Sequence, residues 1–313
     1  MFVTLKTLLL HQEQLCTKDL LMKIVIIGAN GFTGRRILSS LKDKHEVIAC
    51  SRHADILPEE GYYFKQLDIL NYKETESFLD SIGPEIIINA SALSAVDYCE
   101  QHREEAYAIN VTAVKHLAEY CQRMHCRLIH FSTDFVFDGT ATAPCTEDVF
   151  PHPVNYYGLT KLQGEEAIAQ TCIDYAIVRV EVVYGKPWQG QHGNIVHLVK
   201  TRLESGQGIR VVNDQFRSPT WVEDIARGIH LLLTSKHRGI YHICGGETMS
   251  VAELAMRVAQ YFRLDTSLIE SVTTEEMNEA TPRPSYSPMS IAKAQCELGY
   301  SPSSFETGLQ EWL

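Results

Sequence analysis

The sequence predicts a doubly wound, parallel α/β sheet with a smaller lobe at its C-terminal end. Two observations carry that prediction. From Met22 onward, short β-branched apolar runs alternate with helical patterns. Runs that are apolar at every position belong to strands covered on both faces, and helices between them make those strands parallel. After Gly185 the texture changes: Gly, Gln, Trp and His crowd 186–193, and the regular alternation stops.

Taken in order, Lys23-Ile24-Val25-Ile26-Ile27 opens the sheet as a buried strand, and a helix covers 34–41. Strands follow at 46–50 and 63–66, a helix at 73–82 and a fourth strand at 85–89. A long helix is expected over 105–124, then a strand at 127–132, a helix at 155–170 and a sixth strand at 175–180. In the second part the patterns give helices at 195–204, 222–235 and 251–262 and strands at 209–212 and 239–243. Three prolines make 281–288 an extended loop. The expected organisation is thus an N-terminal extension over 1–21, a first domain over 22–185 and a smaller lobe over 186–313, with 219–245 returning to the sheet. Phe2 to Leu10 is apolar but too short to span a bilayer, and no signal-peptidase site follows it. The extension therefore reads as disordered or as the product of an upstream start codon.

Composition narrows the function. At 313 residues, 45% hydrophobic and 21% charged, the chain is globular, neither disordered nor fibrous. Lys+Arg 28 against Asp+Glu 39 leaves a net charge of −11, and the basic residues form no run. Such a surface repels nucleic acid and anionic lipid, so neither is expected as a partner. An anionic substrate has to be met by a few placed cations. Nine cysteines scattered as singletons indicate a reduced, cytoplasmic chain. Cys121, His125 and Cys126 cluster where a helix hands over to a strand, a common place for small buried Cys, so no metal is expected.

Gly28-Ala29-Asn30-Gly31-Phe32-Thr33-Gly34 joins the first strand to the first helix. Glycines at the first, fourth and seventh places let the backbone approach a pyrophosphate, which the helix N-terminus then faces; this makes the first domain Rossmann-like and dinucleotide-binding. The second strand leads into Ser51-Arg52, where a carboxylate would select the ribose 2′-hydroxyl of NAD. An arginine there suits a 2′-phosphate, so NADPH is the expected cofactor, with NADH the alternative. Asp68 and Ile69 are placed for the adenine, and the small residues of Asn89-Ala90-Ser91-Ala92-Leu93-Ser94 for the cofactor's central part.

Ser132-Thr133-Asp134 ends the fifth strand, and Tyr157-Gly158-Leu159-Thr160-Lys161 opens the helix that follows. Tyr and Lys four apart share a helix face. The ammonium is then expected to lower the phenol pKa and make Tyr157 a proton donor near neutrality, while Thr133 holds a substrate oxygen.

These residues resemble the extended short-chain dehydrogenase/reductase superfamily, and more narrowly the dTDP-4-dehydrorhamnose reductase family. The likeness is carried by the stretch Phe131-Ser132-Thr133-Asp134-Phe135-Val136-Phe137-Asp138-Gly139, by 155–165 around Tyr157 and Lys161, by 89–97, by 211–220, and by Arg179 with Val183-Tyr184-Gly185. It implies reduction of a 4-keto group on a nucleotide-activated deoxysugar, with Thr133, Tyr157 and Lys161 as the catalytic set, Tyr157 and Lys161 also contacting the cofactor and Lys161 binding its nicotinamide ribose. Asp134 and Asp97 would then stand against the substrate, and Asn110 would be the superfamily's relay asparagine. Phe135 separates the chain from the 4,6-dehydratases of the superfamily, which carry a glutamate there. Val182 falls where the rhamnose enzymes have a sugar-packing tryptophan, and Glu181 beside it is also unusual, so rhamnose itself does not follow. Arg283, on the proline-stiffened loop, with Arg210 helping, would meet a nucleotide diphosphate. His192 reads as an ordinary exposed histidine. A homodimer fits the resemblance. The alternatives are an NAD-dependent nucleotide-sugar epimerase and a non-catalytic NADP-binding subunit like that of methionine adenosyltransferase.

Overall fold

The structure, a computed structural model, describes residues 21–191 and 193–313. The expectations for residues 1–20 and for His192 lie outside the described residues. Six strands appear in the first part of the chain: β1 (Lys23–Ile27), β2 (Glu46–Ser51), β3 (Tyr63–Gln66), β4 (Ile86–Asn89), β5 (Arg127–Thr133) and β6 (Tyr175–Val180). With Gly239–His242 they form one parallel sheet, in the order Gly239–His242, β6, β5, β4, β1, β2, β3. The order reverses between β1 and β4. Ile27 is in register with Cys50 on one side and Asn89 on the other, so three strands release their chain at the same height. That is the crevice where open α/β sheets bind ligands.

Alternate residues of each strand serve opposite faces. Ile24, Ile26, Val47, Ile88 and Val178 meet helices Phe32–Leu41 and Val222–Thr234. Val25, Ile27, Ile48, Ile87 and Ile177 meet Tyr72–Ile82, Ala113–Met124 and Tyr156–Thr171. Segment 219–245 thus contributes both a covering helix and the seventh strand. The remaining lobe packs helices Ile195–Glu204 and Val251–Phe262 around Tyr184, Leu203, Val211, Leu254 and Phe305. Its strands are short pairs: Ile209–Val212 with Ile269–Val272, Phe216–Arg217 with Met249–Ser250, and Val183–Tyr184 with Thr220–Trp221.

One element departs from the pattern read in the sequence. The long helix expected over 105–124 is broken into Arg103–Tyr107, a π-helical turn Ala108–Thr112 and Ala113–Met124, and a separate helix Val96–Gln101 precedes it. A π turn widens the helix locally, and here it carries Asn110 into the interior. Among the described residues no helix is long and apolar enough to cross a membrane.

Candidate active site

A groove of about 240 Å³ runs along the carboxyl edge of β1, β2 and β4, lined by Gly28, Gly31, Ser51, Arg52, Asp68 and Ile69, and by Ala90, Ala92 and Leu93. Its floor requires glycine. At Gly28, where φ is +85°, a Cβ would stand 2.7 Å from the Ala90 carbonyl carbon and the Ser91 nitrogen. At Gly34 it would stand 2.2 Å from the Gly28 oxygen, which fixes how closely the helix meets the strand. Gly31, the N-cap of Phe32–Leu41, makes no side-chain cap, so the first amides of that helix remain free for an anion.

Several residues expected at the cofactor stand elsewhere. Asn30 turns away and ties down the segment after β2, its Nδ2 donating to the Ala54 oxygen at 2.8 Å. Phe32 packs toward Gly185, at the side of the smaller lobe. Asn110, fully buried, accepts from Leu93 N at 2.9 Å and donates to Leu93 O and Thr160 Oγ1, both at 3.0 Å. It positions the groove wall and does not line it. Ser94 lines the neighbouring cavity instead of the groove. Arg52 is exposed, with Glu105 at 4.0 Å.

Leu93 lines the groove and Ser94, the next residue, lines that second cavity, about 380 Å³ between the sheet edge and the smaller lobe. Thr133, Asp134, Phe135, Tyr157, Val182 and Arg283 are all on its wall. Thr133 is the last residue of β5; its hydroxyl donates to Asp134 Oδ1 at 3.0 Å and accepts from Phe135 N at 3.3 Å. Tyr157 enters on the first turn of Tyr156–Thr171. That turn is capped by Asn155, which accepts from Gly158 N at 2.8 Å and donates to Pro282 O at 3.0 Å. One side chain therefore fixes both the tyrosine's helix and the loop that bears Arg283. The Tyr157 and Phe135 rings meet edge to face at 5.7 Å.

The expected effect of Lys161 on Tyr157 is corrected here. Lys161 Nζ donates to the Phe131 carbonyl at 2.6 Å and lies 3.3 Å from His130 Nε2, anchored to β5 and not directed at the phenol. Burial pushes the Tyr157 pKa up; the neighbouring Thr133 hydroxyl opposes the rise, and the Asp134 charge adds to it. Burial also lowers Lys161 to about 8, with Glu165 partly opposing. Desolvation dominates because protein packs around both groups: Lys161 is buried, and Tyr157 is partly buried on the cavity wall.

The substrate candidates divide. Arg283 lines the cavity while paired with Glu279 at 3.2 Å and Asp97 at 3.5 Å. Asp97 is thus held at the rim by the arginine. Arg210 is not brought to the site: Ile209 and Val211 point inward, so alternation turns Arg210 outward, to Glu270 at 3.3 Å. Asp134, expected against a sugar, is buried and partnered by protein groups, Thr133, Ser287 and Arg217. Val182 lines the cavity with φ at +38°, an outlying conformation for a β-branched residue and a sign of local strain. Gln215, Arg217 and Ser287 were not singled out from the sequence. The first two lie inside the recognised 211–220 stretch, but nothing local marked Ser287.

The family model described as "RmlD substrate binding domain" matches residues 22–313. The chain belongs to that family. It is 34% identical over 294 residues to the spore coat polysaccharide biosynthesis protein SpsK of Bacillus subtilis, covering 93% of this chain and 96% of that one. It is 32% identical to methionine adenosyltransferase 2 subunit beta of Xenopus laevis, over 93% of this chain and 87% of the relative. Among solved structures, dTDP-4-dehydrorhamnose reductase from Bacillus anthracis in complex with NADP superposes with a TM-score of 0.84 at 29% identity, over 93% of this chain and 98% of that one.

Proposed function

We propose that the chain is an NAD(P)-dependent reductase of a 4-keto-6-deoxysugar carried on a nucleoside diphosphate, with NADPH as the preferred donor. One observation carries the reading: the cavity walled by Thr133 and Tyr157 and the glycine-floored groove adjoin at Leu93 and Ser94. A reducible carbonyl at the tyrosine and a dinucleotide in the groove would therefore be neighbours. Likeness to a reductase solved with NADP supports the cofactor and the class. Residues 22–185 and the returning segment 219–245 form the cofactor domain, and the other residues of 186–313 form the sugar lobe.

The groove fits a dinucleotide, since added Cβ atoms would close it and the helix N-terminus beneath it is open to phosphate. When bound, the nicotinamide supplies the hydride. Asp68 and Ile69 take the adenine end, and Arg52 offers its fork to a 2′-phosphate. Lys161, charged below about pH 8, keeps a positive charge at the Phe131 carbonyl, near the carboxyl end of β5. Tyr157, whose raised pKa keeps it protonated at neutral pH, gives its proton to the ketone oxygen as charge develops there. The Thr133 hydroxyl stands beside it to hold the same oxygen. Phe135, which cannot move a proton, stands where a dehydratase needs a carboxyl, so dehydration is disfavoured. Arg283 is the cation placed for the diphosphate.

The test is spectrophotometric: purified protein, NADPH, and a panel of dTDP-, UDP- and GDP-linked 4-keto-6-deoxysugars. The expected result is NADPH oxidation that depends on one of these ketones. A second reading is favoured by the likeness to methionine adenosyltransferase 2 subunit beta. Under it, NADPH binds but no ketone is reduced, and the protein co-purifies with a stoichiometric enzyme partner.

A further inference from the structure

Behind the cavity wall two carboxyl groups are buried close together. Asp134 follows the end of β5 and Glu181 the end of the neighbouring β6; they are 2% and 1% exposed. Ser287, from the extended loop, lies between them. Its hydroxyl is 2.6 Å from Asp134 Oδ2 and 3.4 Å from Glu181 Oε1. Glu181 Oε2 has no hydrogen-bond partner. From Asp134 the line continues through Oδ1 to the Thr133 hydroxyl at 3.0 Å, and Tyr157 shares the cavity wall with Thr133. A line of oxygen atoms thus joins Glu181 to the Thr133 hydroxyl, on the wall that also bears the Tyr157 phenol.

The charge around this line is short by one. Arg217 faces the pair, with Nε 3.6 Å from Asp134 Oδ2 and its terminal nitrogens donating to Phe216 O at 2.8 Å and Pro284 O at 2.6 Å. The other titratable neighbours of Glu181 are the thiols of Cys145 and Cys244, both held protonated by burial first and by nearby carboxylates, Glu181 among them. Arg179, on β6, is committed to Glu165, at 2.9 and 2.6 Å. Two ionised carboxylates against one guanidinium would leave a net negative charge out of water, with one carboxylate oxygen lacking any donor. A single added proton makes the cluster neutral, and that is the stable arrangement in such a setting.

We propose that Asp134 and Glu181 share one proton at neutral pH, and that Glu181, Ser287, Asp134 and Thr133 form a buried path that restores the Tyr157 proton after each turnover. The path rests on the reductase reading; the shared proton does not. In the step, the phenolate left on Tyr157 takes the Thr133 hydroxyl proton, and the Thr133 oxygen takes the shared proton when it is on Asp134. When that proton rests on Glu181 it first reaches Asp134 through Ser287, which gives its hydroxyl proton to Asp134 and takes the Glu181 proton in exchange. Only O–H bonds break and form, one proton leaves the carboxyl pair, and solvent replaces it when the cavity opens for product release. Burial raises the pKa of both carboxyls, Glu181 further than Asp134, and the Arg217 charge only partly opposes this. Glu181 acts through its neighbours, as a positioning and proton-storing residue.

Two readouts test this on the full-length protein. Infrared difference spectra of wild type and Glu181→Gln at neutral pH are expected to show a protonated carboxyl C=O band that the variant lacks. Steady-state reduction of the active keto sugar is expected to show kcat lowered about tenfold or more in Glu181→Gln, the lower end of what a proton-transfer group contributes. Its KM for NADPH should be unchanged, and its kcat should carry a larger solvent deuterium isotope effect. Ser287→Ala, which cuts the path without removing the acid, should keep the band and lose kcat, and it serves if the glutamine variant does not fold. Absence of a protonated carboxyl band in wild type overturns the shared proton whatever the activity. Wild-type kcat in both variants overturns the path. A band without any ketone reduction by wild type overturns the reductase reading and the path with it, and leaves the shared proton standing.

Discussion

Replacing Tyr157 with Phe removes one oxygen from the centre of the proposed chemistry and little else. The ring keeps its edge contact with Phe135 at 5.7 Å, and the capping of the helix by Asn155 does not involve the lost hydroxyl. The folding cost is therefore at most that of one hydrogen bond, about 1 kcal/mol. The groove residues are untouched, so NADPH affinity should stay within about twofold, a change of only ~0.4 kcal/mol. Turnover is another matter. Thr133 donates to Asp134 and the Lys161 ammonium is tied to the Phe131 carbonyl, which leaves Tyr157 as the group placed to protonate the ketone oxygen. Loss of a positioned general acid typically slows a reaction about 10²–10⁴-fold, some 3–5 kcal/mol of barrier. Fluorescence titration with NADPH and steady-state oxidation of NADPH by the keto sugar separate the two effects. A variant that binds NADPH normally and keeps more than about a tenth of wild-type kcat, a loss below ~1.4 kcal/mol, refutes the acid role of Tyr157.

Arg52→Ala should raise the KM for NADPH by about 10–100-fold, the worth of hydrogen bonds to a charged group, and leave the KM for NADH unchanged; equal effects on both cofactors would remove Arg52 from the 2′-phosphate. Lys161 supplies a pH dependence. Its folded pKa is about 8 against an ordinary 10.5, so kcat/KM for ketone reduction should fall as pH rises through about 8 and the ammonium is lost. Stability should move the other way. Between about 8 and 10.5 the unfolded chain holds the proton that the folded one has released, so this group makes folding more favourable as pH rises across that window. A rate profile flat through pH 8, or a chemical-denaturation midpoint that does not respond there in comparison with Lys161→Met, contradicts this. Gly28→Ala forces a Cβ within 2.7 Å of backbone at a φ of +85°, so NADPH binding should be lost or the melting temperature lowered. Calorimetry showing neither would mean that the groove floor tolerates the methyl group.

Much of the scaffold was readable because its signals are local and periodic. The uninterrupted apolar run 24–27 and the glycines after it specify a buried strand and a close turn within a dozen residues, and the same holds for the end of β5 and for Tyr157 with Lys161 on one helix face. Three things were not readable in that way. The π turn at 108–112 is selected by the fit of Asn110 to Leu93 and Thr160, a tertiary gain that helix propensity does not contain. The direction of the Lys161 ammonium depends on a carbonyl of another strand, so spacing placed it on the right face but could not say what it would bond. Asp134, Glu181 and Ser287 meet across separations of 153 and 106 residues, and only the folded loop brings the hydroxyl between the acids. Arg210 is different: the apolar residues on both sides of it already implied an outward direction, and strand alternation alone would have removed it from the site.

The central claim, that a hydride passes from a dinucleotide in the Gly28 groove to a ketone carbon at Tyr157, is tested most directly by isotope transfer. The protein is given NADPH deuterated at the nicotinamide C4 and the nucleotide-linked 4-keto-6-deoxysugar, and the product is read by NMR and mass spectrometry. The account predicts one deuterium on sugar C4, on a single face, with NADP formed in equal amount. Product without deuterium, or NADPH bound and left unoxidised in the presence of every such ketone, would contradict it.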